Sequence, residues 1–215
     1  AFRMRHVLLG LLLAAAAASA RGEAPGFVSL FDGRSFAGWN GDLDVWRIED
    51  GTIVAGATDK AAPRNEFLAT DAEYGDFELR LEYKLEATDG ANAGVQFRSV
   101  RIPNHHEVSG YQADIGPGYF GALYDESRRN KLLAVPAERM VAAALSGGID
   151  GWHTYRIRAE GNRIRLELNG VETVDWTDPD AGIARRGMIA LQIHGGLVGT
   201  IRYRNLRIRP LDTGK

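Results

Sequence analysis

The chain contains no cysteine among its 215 residues. Disulfides and thiolate metal sites are therefore excluded, and stability must come from burial and hydrogen bonding. An excess of positive charge is also missing: 26 Lys and Arg stand against 28 Asp and Glu, a net charge of −2. That balance argues against nucleic acid or an anionic membrane as the main partner. Long apolar runs are absent after the N-terminus. The one that exists begins at Val7 and, even counted to Ala20, reaches 14 residues, too short to span a bilayer comfortably. Motifs for the commoner chemistries are lacking too: there is no Gly-rich phosphate loop, no G-x-S-x-G elbow and no H-E-x-x-H. The E-x-D-x-x-E strand of β-sandwich retaining glucanases does not occur either. Asp125-Glu126 cannot replace it, because adjacent strand residues point apart rather than flanking one bond.

The short apolar run has the form of an export signal. Arg3, Arg5 and His6 form a basic start, Val7–Ala18 is unbroken, and Ala18-Ser19-Ala20 is a small-x-small cleavage pattern. Met4 is the expected start of that signal, and the lack of cysteine after it excludes a lipoprotein anchor. The expectation is a signal peptide over 1–20, a short segment over 21–26, a single domain over 27–211, and an exported, periplasmic or secreted product without stable membrane insertion. Loss of Arg3 and Arg5 takes 26 basic residues to 24 against 28 acidic, a net charge near −4.

What remains reads as antiparallel β structure. In Asp76–Glu86, Phe77, Leu79, Leu81, Tyr83 and Leu85 share one face and six charged residues share the other, the period of a half-buried strand. Trp152–Glu160 and Asn162–Asn169 repeat the pattern, and Asn169-Gly170 supplies the two positive-φ positions of a type I′ hairpin turn. Ile201 and Tyr203 are in phase while Leu206 and Ile208 fall one residue late, which predicts a bulge near Arg204-Asn205. Shorter strands are expected at Val28–Phe31, Val45–Ile48, Thr52–Ala55, Glu66–Ala69, Ala93–Val100 and Met188–His194. One helix is expected at Ala137–Leu145, after Pro136 and before Gly147-Gly148. Many short strands without βαβ alternation predict an all-β antiparallel sandwich, a jelly roll, with at most one short helix.

Two of these segments, Ala93–Val100 and Met188–His194, and a further strand expected at Tyr111–Ile115 carry an unusual polar face. Asn92, Gln96 and Arg98 alternate with Val95 and Phe97; Gln112 and Asp114 alternate with Tyr111, Ala113 and Ile115; Gln192 and His194 alternate with Ile189, Leu191 and Ile193. Short amide, carboxylate and imidazole side chains lose little rotamer entropy when fixed and suit hydrogen bonding to sugar hydroxyls. If the three strands are neighbours, these faces form one concave floor. The charged, glycine-rich loop Gly116–Lys131 would then bring Tyr124 and Glu126 to its rim. His194 at a strand end could carry a proton or serve as a ligand. His105-His106-Glu107 could bind one metal only from a loop, and Trp39, Trp46, Trp152 and Trp176 are expected mainly in the core or at corners.

Six stretches, FVSLFDGRSFAGW (27–39), YGDFELRLEYKL (74–85), NAGVQFRS (92–99), SGYQADIG (109–116), WHTYRIRAEGNRIRLELNG (152–170) and GMIALQIHGG (187–196), together resemble the 3-keto-disaccharide hydrolase family. The resemblance runs in order over nearly all of 27–210. It implies a concanavalin A-like jelly roll, export, and a carbohydrate substrate already oxidised to a ketone at sugar C3. A C3 ketone acidifies the C2 proton, so a base can form an enediolate that expels the C1 substituent, and water then adds to the enone. On that resemblance Asp114 or His194 would be the base or a metal ligand, and Arg98 would stabilise the oxyanion. Asn92, Gln96, Gln112 and Gln192 would hold hydroxyls, with Tyr124 and Glu126 assisting the leaving group. One divalent metal ion bridging the C2 and C3 oxygens would supply electrophilic support. Relatives carry YE-x-Q where this chain reads YQ-x-D, so acid and amide are exchanged between Gln112 and Asp114. A non-catalytic carbohydrate-binding module of the cell envelope with the same jelly roll is the competing expectation.

Overall fold

The computed structural model describes residues 26–88 and 90–211; the expected signal peptide over 1–20 lies outside them. In chain order the strands are β1 (Val28–Ser29), β2 (Trp39–Asn40), β3 (Trp46–Glu49), β4 (Thr52–Ala57) and β5 (Glu66–Tyr74). Then come β6 (Phe77–Ala87), β7 (Ala93–Arg101), β8 (Val108–Ile115), β9 (Leu123–Glu126) and β10 (Lys131–Ala134). After helix α1 (Glu138–Ala144) follow β11 (His153–Glu160), β12 (Arg163–Leu168), β13 (Val171–Thr177), β14 (Gly187–Ile193) and β15 (Gly199–Pro210). Every pairing is antiparallel. The first sheet runs β13-β12-β11-β6-β15-β4-β3 with β1 added to β15, and the second runs β10-β9-β8-β7-β14-β5-β2. This is the all-β sandwich of a jelly roll. Among the described residues no helix is long and apolar enough to cross a membrane.

The sandwich follows from the alternation in the sequence. Phe77, Leu79, Leu81 and Tyr83 of β6, with Ile157, Leu166, Ile201 and Tyr203, turn inward from the first sheet. Val95, Phe97, Tyr111, Ala113, Ile115, Ile189, Leu191 and Ile193 meet them from the second. Phe77 and Phe97 contact edge-to-face across the interior, with centroids 6.2 Å apart. Tyrosines bind the two sheets through polar contacts as well. The Tyr203 hydroxyl lies 3.1 Å from the Gly94 carbonyl and 2.9 Å from that of Gln192, and donates into that pair. The Tyr155 hydroxyl donates to the Asp114 carbonyl at 3.2 Å.

Turn chemistry matches the expectation where it was specific. Asn169 and Gly170 hold φ of 49° and 82° between β12 and β13. The β15–β6 register slips between Arg204 and Arg207, with Asn205 at φ 54°. The helix occupies Glu138–Ala144 with Ala137 as its N-cap. The segment taken as a loop over Gly116–Lys131 instead contains β9, which pairs with β8, and leads into β10. Its ionisable groups also divide. Asp125 is fully buried between Arg128 and Arg129, while Arg129 reaches Asp178, which accepts from the Tyr111 hydroxyl at 2.5 Å. Asp125, Arg128 and Arg129 are therefore structural.

The two outer faces differ in how their charges are used. On the first sheet Glu78, with no exposed surface, is ringed by Arg80, Arg156, Arg158 and Arg209. Burial pushes its carboxyl up, but hydrogen bonds from Arg156 and Arg80 outweigh that and hold it at about 2. On the second sheet, polar atoms at one end of the outer face have no protein partner, and that is where a ligand could be received.

Candidate functional site

The three polar strands are neighbours. β8, β7 and β14 lie side by side, with Gln96 opposite Gln112, Gly94 opposite Asp114, and Gln192 opposite Gly94. β9 extends the row by placing Tyr124 opposite Gln112 and Glu126 opposite Gly110. A cleft of about 370 Å³ opens over this floor, lined by Asn92, Gln112, Asp114, Tyr124, Glu126 and His194. Asn65, Tyr119 and the glycines at 90, 195 and 196 complete its wall. Tyr124 and Glu126 therefore stand on a strand beside Gln112, a firmer seat than the rim loop expected for them.

A directed hydrogen-bond chain runs through the floor. Ser99 Oγ donates to Gln96 Oε1 at 3.0 Å, Gln96 Nε2 to Gln112 Oε1 at 2.5 Å, and Gln112 Nε2 to Asp114 Oδ1 at 2.5 Å. Both amides use their oxygen toward Ser99 and their nitrogen toward Asp114, so the acceptor-only carboxylate fixes the orientation of the whole chain. Gly94 makes room for it. A Cβ at that position would stand 2.7 Å from Cγ and Cδ of Gln112, closer than carbon atoms pack.

Asp114 is 3% exposed and Gln112 2%. Burial pushes the Asp114 carboxyl up to about 7; the Gln112 hydrogen bond opposes this and the Glu126 charge adds to it. Glu126 is raised too, first by burial and next by the charge of Glu107, with His194 and the Gln192 amide pulling the other way. Gln192 Nε2 lies 3.4 Å from Glu126 Oε2. The Tyr124 hydroxyl is raised by burial and by the charges of Glu126 and Asp114, so it stays protonated and can donate. His194 is exposed at the end of β14, and its Nδ1 lies 2.7 Å from the Gly195 carbonyl. A carbonyl can only accept, which puts the proton on Nδ1 and leaves the Nε2 lone pair free when the ring is neutral.

Three expected site residues are placed differently. Arg98 does not reach the floor. Between Phe97 and Val100 the β7–β8 register shifts, Arg98 takes φ 48°, and its guanidinium turns to the sheet end. There it is 1% exposed, pairs with Asp76 at 2.7 Å, and donates to the Gly75 and Gly161 carbonyls at 3.0 and 2.6 Å. A bulge adds a residue and breaks the period of two, so parity fails beyond it. Gln96 and Gln192 face the correct side but have no exposed surface. Their neighbours Ala190 and Phe67 belong to a small apolar cluster with Ala69, Val108 and Met188 that closes this part of the outer face. They support Gln112 and Glu126 from behind the lining.

Two lining residues escaped the sequence reading. Asn65 precedes β5 with no pattern to mark it; its side chain accepts from the Gly195 N–H at 2.8 Å and donates to Glu107 Oε1 at 3.0 Å. Tyr119 lies in the flagged glycine-rich loop and is 44% exposed, an aromatic with no core position to fill. His105 and His106 stack on each other with centroids 4.5 Å apart, and His105 Nδ1 accepts from the Glu107 N–H. Trp39 and Trp46 are buried, Trp152 and Trp176 lie under Arg204 and Arg129, and none lines the cleft. Among the described residues no three His, Cys, Asp or Glu side chains form a metal-holding group. Asp114, Glu126 and His194 share one lining without forming such a group.

The cleft can hold a polar ligand and move protons. Asn92 Oδ1, Gln192 Oε1 and Glu107 Oε2 are buried without a partner, and the first of these belongs to the lining. Ligand hydroxyls would satisfy such acceptors. Solved structures share the fold. A candidate glycosyl hydrolase from Parabacteroides distasonis superposes with a TM-score of 0.65 at 19% identity, covering 87% of this chain and 94% of that one. A second from the same organism gives 0.61 at 22% identity, with 86% and 99% covered. The carbohydrate-binding module CBM66 of Bacillus subtilis gives 0.58 at 16% identity, with 80% and 95% covered. No curated protein matches the chain in sequence. Residues 26–209 match the model of the 3-keto-alpha-glucoside-1,2-lyase-like domain, and the chain belongs to that family.

Proposed function

We propose that this protein cleaves 3-keto-glycosides by removing the C2 proton, eliminating the C1 substituent and hydrating the product. Family membership and the fold neighbours support a carbohydrate-directed function, and the observation that carries the finer reading is Asp114. A carboxyl with an apparent pKa of about 7, its Oδ1 held by Gln112, suits general-base work at neutral pH. Its free oxygen would take the proton from C2 as the electron pair moves toward the C3 ketone. The developing oxyanion needs a donor, and the Tyr124 hydroxyl, which keeps its proton, is available in the same lining. As the enediolate collapses the C1–O bond breaks, and Asp114 passes the proton it has taken from C2 to the departing oxygen. Water then adds its hydroxyl to C1 and its proton reaches C2 through Asp114, which ends the cycle ionised as it began. The net reaction is hydrolysis. The free Nε2 of His194 can help remove the proton from that water. Asn92 Oδ1 accepts from a sugar hydroxyl.

The competing reading, a binding module, is favoured by the CBM66 likeness. It accounts less well for a nearly buried carboxyl poised at neutral pH. Incubation with a 3-keto-glucoside separates the two: free sugar or enone should appear, with a rate that rises through about pH 7 as Asp114 ionises. Saturable binding of unoxidised sugar without turnover of any 3-keto-glycoside would sink the enzyme and leave the module. Export is part of the proposal and rests on the 1–20 signal pattern. It is checked by fusing those residues to a reporter active only outside the cytoplasm.

A further inference from the structure

A second pocket adjoins the polar cleft, with opposite chemistry. About 510 Å³ in volume, it is lined by Tyr119, Phe120, Val135, Pro136, Val141 and Ala142, with Glu138 as its one side chain charged at neutral pH. Val135 is 65% exposed and Tyr119 44%, so apolar surface stands open to water beside a site built for hydroxyls. Tyr119 lines both spaces. The loops around Tyr119 and Val135, with α1, build the pocket.

We infer that this pocket receives the leaving group, and that the preferred substrate is a glycoside whose aglycone is apolar, an alkyl or aryl group, rather than a second sugar. The inference rests on the proposed reaction for the identity of the cleft ligand. A sugar in the polar cleft would place its C1 substituent across Tyr119, and what lies beyond offers burial and almost no hydrogen-bond partners. A sugar aglycone would lose its hydration there without replacement, whereas a hydrocarbon gains roughly three- to fourfold in affinity per buried methylene.

Methyl, butyl and hexyl 3-keto-glucosides test this, because their leaving alcohols differ little in acidity and chain length changes burial alone. KM should fall by about threefold per added methylene until the pocket is filled, with kcat nearly constant. Val135→Asp and Ala142→Asp, both on exposed positions away from the polar cleft, should abolish the chain-length gain and leave the methyl glycoside unaffected. A KM independent of chain length overturns the inference. Calorimetric titration with the unoxidised methyl and hexyl glucosides reads the pocket without turnover. Hexyl preference with no cleavage of any 3-keto substrate would defeat the proposed reaction yet support the pocket, and equal binding of both would overturn the pocket. A concentration-dependent dimer lost in Val135→Asp, with no chain-length effect, would assign the surface to a second copy and overturn it equally.

Discussion

A carboxyl group that keeps its proton to about pH 7 alters stability as well as chemistry, and Asp114 couples the two. Its ordinary value is 3.8 and its folded value about 7. Between them the unfolded chain has released the proton while the folded chain still holds it. The stabilisation from proton binding is therefore complete below about pH 4 and is lost as pH rises to about 7. Asp114→Asn removes that dependence. Its stability advantage over the parent should be absent near pH 4 and grow to a few kcal/mol by pH 8, at roughly 1.4 kcal/mol per pKa unit. Denaturant midpoints across pH read this directly, and parallel curves for the two proteins would show that Asp114 titrates normally. The same variant should lose about 10²–10⁴ in kcat with little change in KM, and a change in KM alone would demote Asp114 to a binding residue. Arg98 makes the contrast. Its buried pair with Asp76 and two carbonyl contacts are structural, so Arg98→Leu should cost about 3 kcal/mol, near 10 °C in Tm. The protein that remains folded at low temperature should keep its kcat; a large kcat loss there would return Arg98 to the reaction.

The floor works because strands with different side-chain content are set side by side. Gly94 of β7 lies between Asp114 and Gln192 and leaves space for the Gln112 amide, which could not reach Asp114 past a methyl group. Gly94→Ala should displace Gln112, and kcat should fall by about tenfold, in line with one lost hydrogen bond to a charged group. The pH limb of the rate should move upward, since that bond holds the Asp114 carboxyl down. Reduced kcat with an unmoved limb would detach the Ser99–Gln96–Gln112 chain from the base. Asp114 stands at the end of the donor chain, with its carboxyl in the lining of the cleft. β9 matters in the same way. The pairing of Asp125 with Arg128 and Arg129 anchors the strand from inside while Tyr124 and Glu126 face out.

Across the sandwich, the site is tied to the opposite sheet. Tyr203 from β15 donates into the carbonyls of Gly94 and Gln192, directly beneath the floor. Tyr203→Phe should cost about 1 kcal/mol, or roughly 2–4 °C in Tm for a domain of this size. Hydrogen exchange should rise selectively in β7 and β14, and unchanged stability and exchange would show that the two carbonyls find other partners. The sandwich, most of its strands, the β15 bulge and the Asn169-Gly170 turn could be read from the chain, because period two and turn preferences are local properties of neighbouring residues; the short strands β2, β9 and β10 could not. So could most of the lining: Asn92, Gln112, Asp114, Tyr124, Glu126 and His194 were found by parity or by charge. Parity misled at Arg98, where one inserted residue rotated the side chain out of phase, and it could not tell Gln96 and Gln192 from exposed amides. Asn65 carried no local mark, since what brings it to the cleft is its contact with Gly195, far away in sequence, and Tyr119 was marked only by the charged, glycine-rich loop that holds it. Local alternation thus determines which side of a strand a residue faces. Strand order, burial and the sharing of Tyr119 by polar and apolar pockets depend on contacts between residues far apart in sequence, and those exist only once the sandwich has closed.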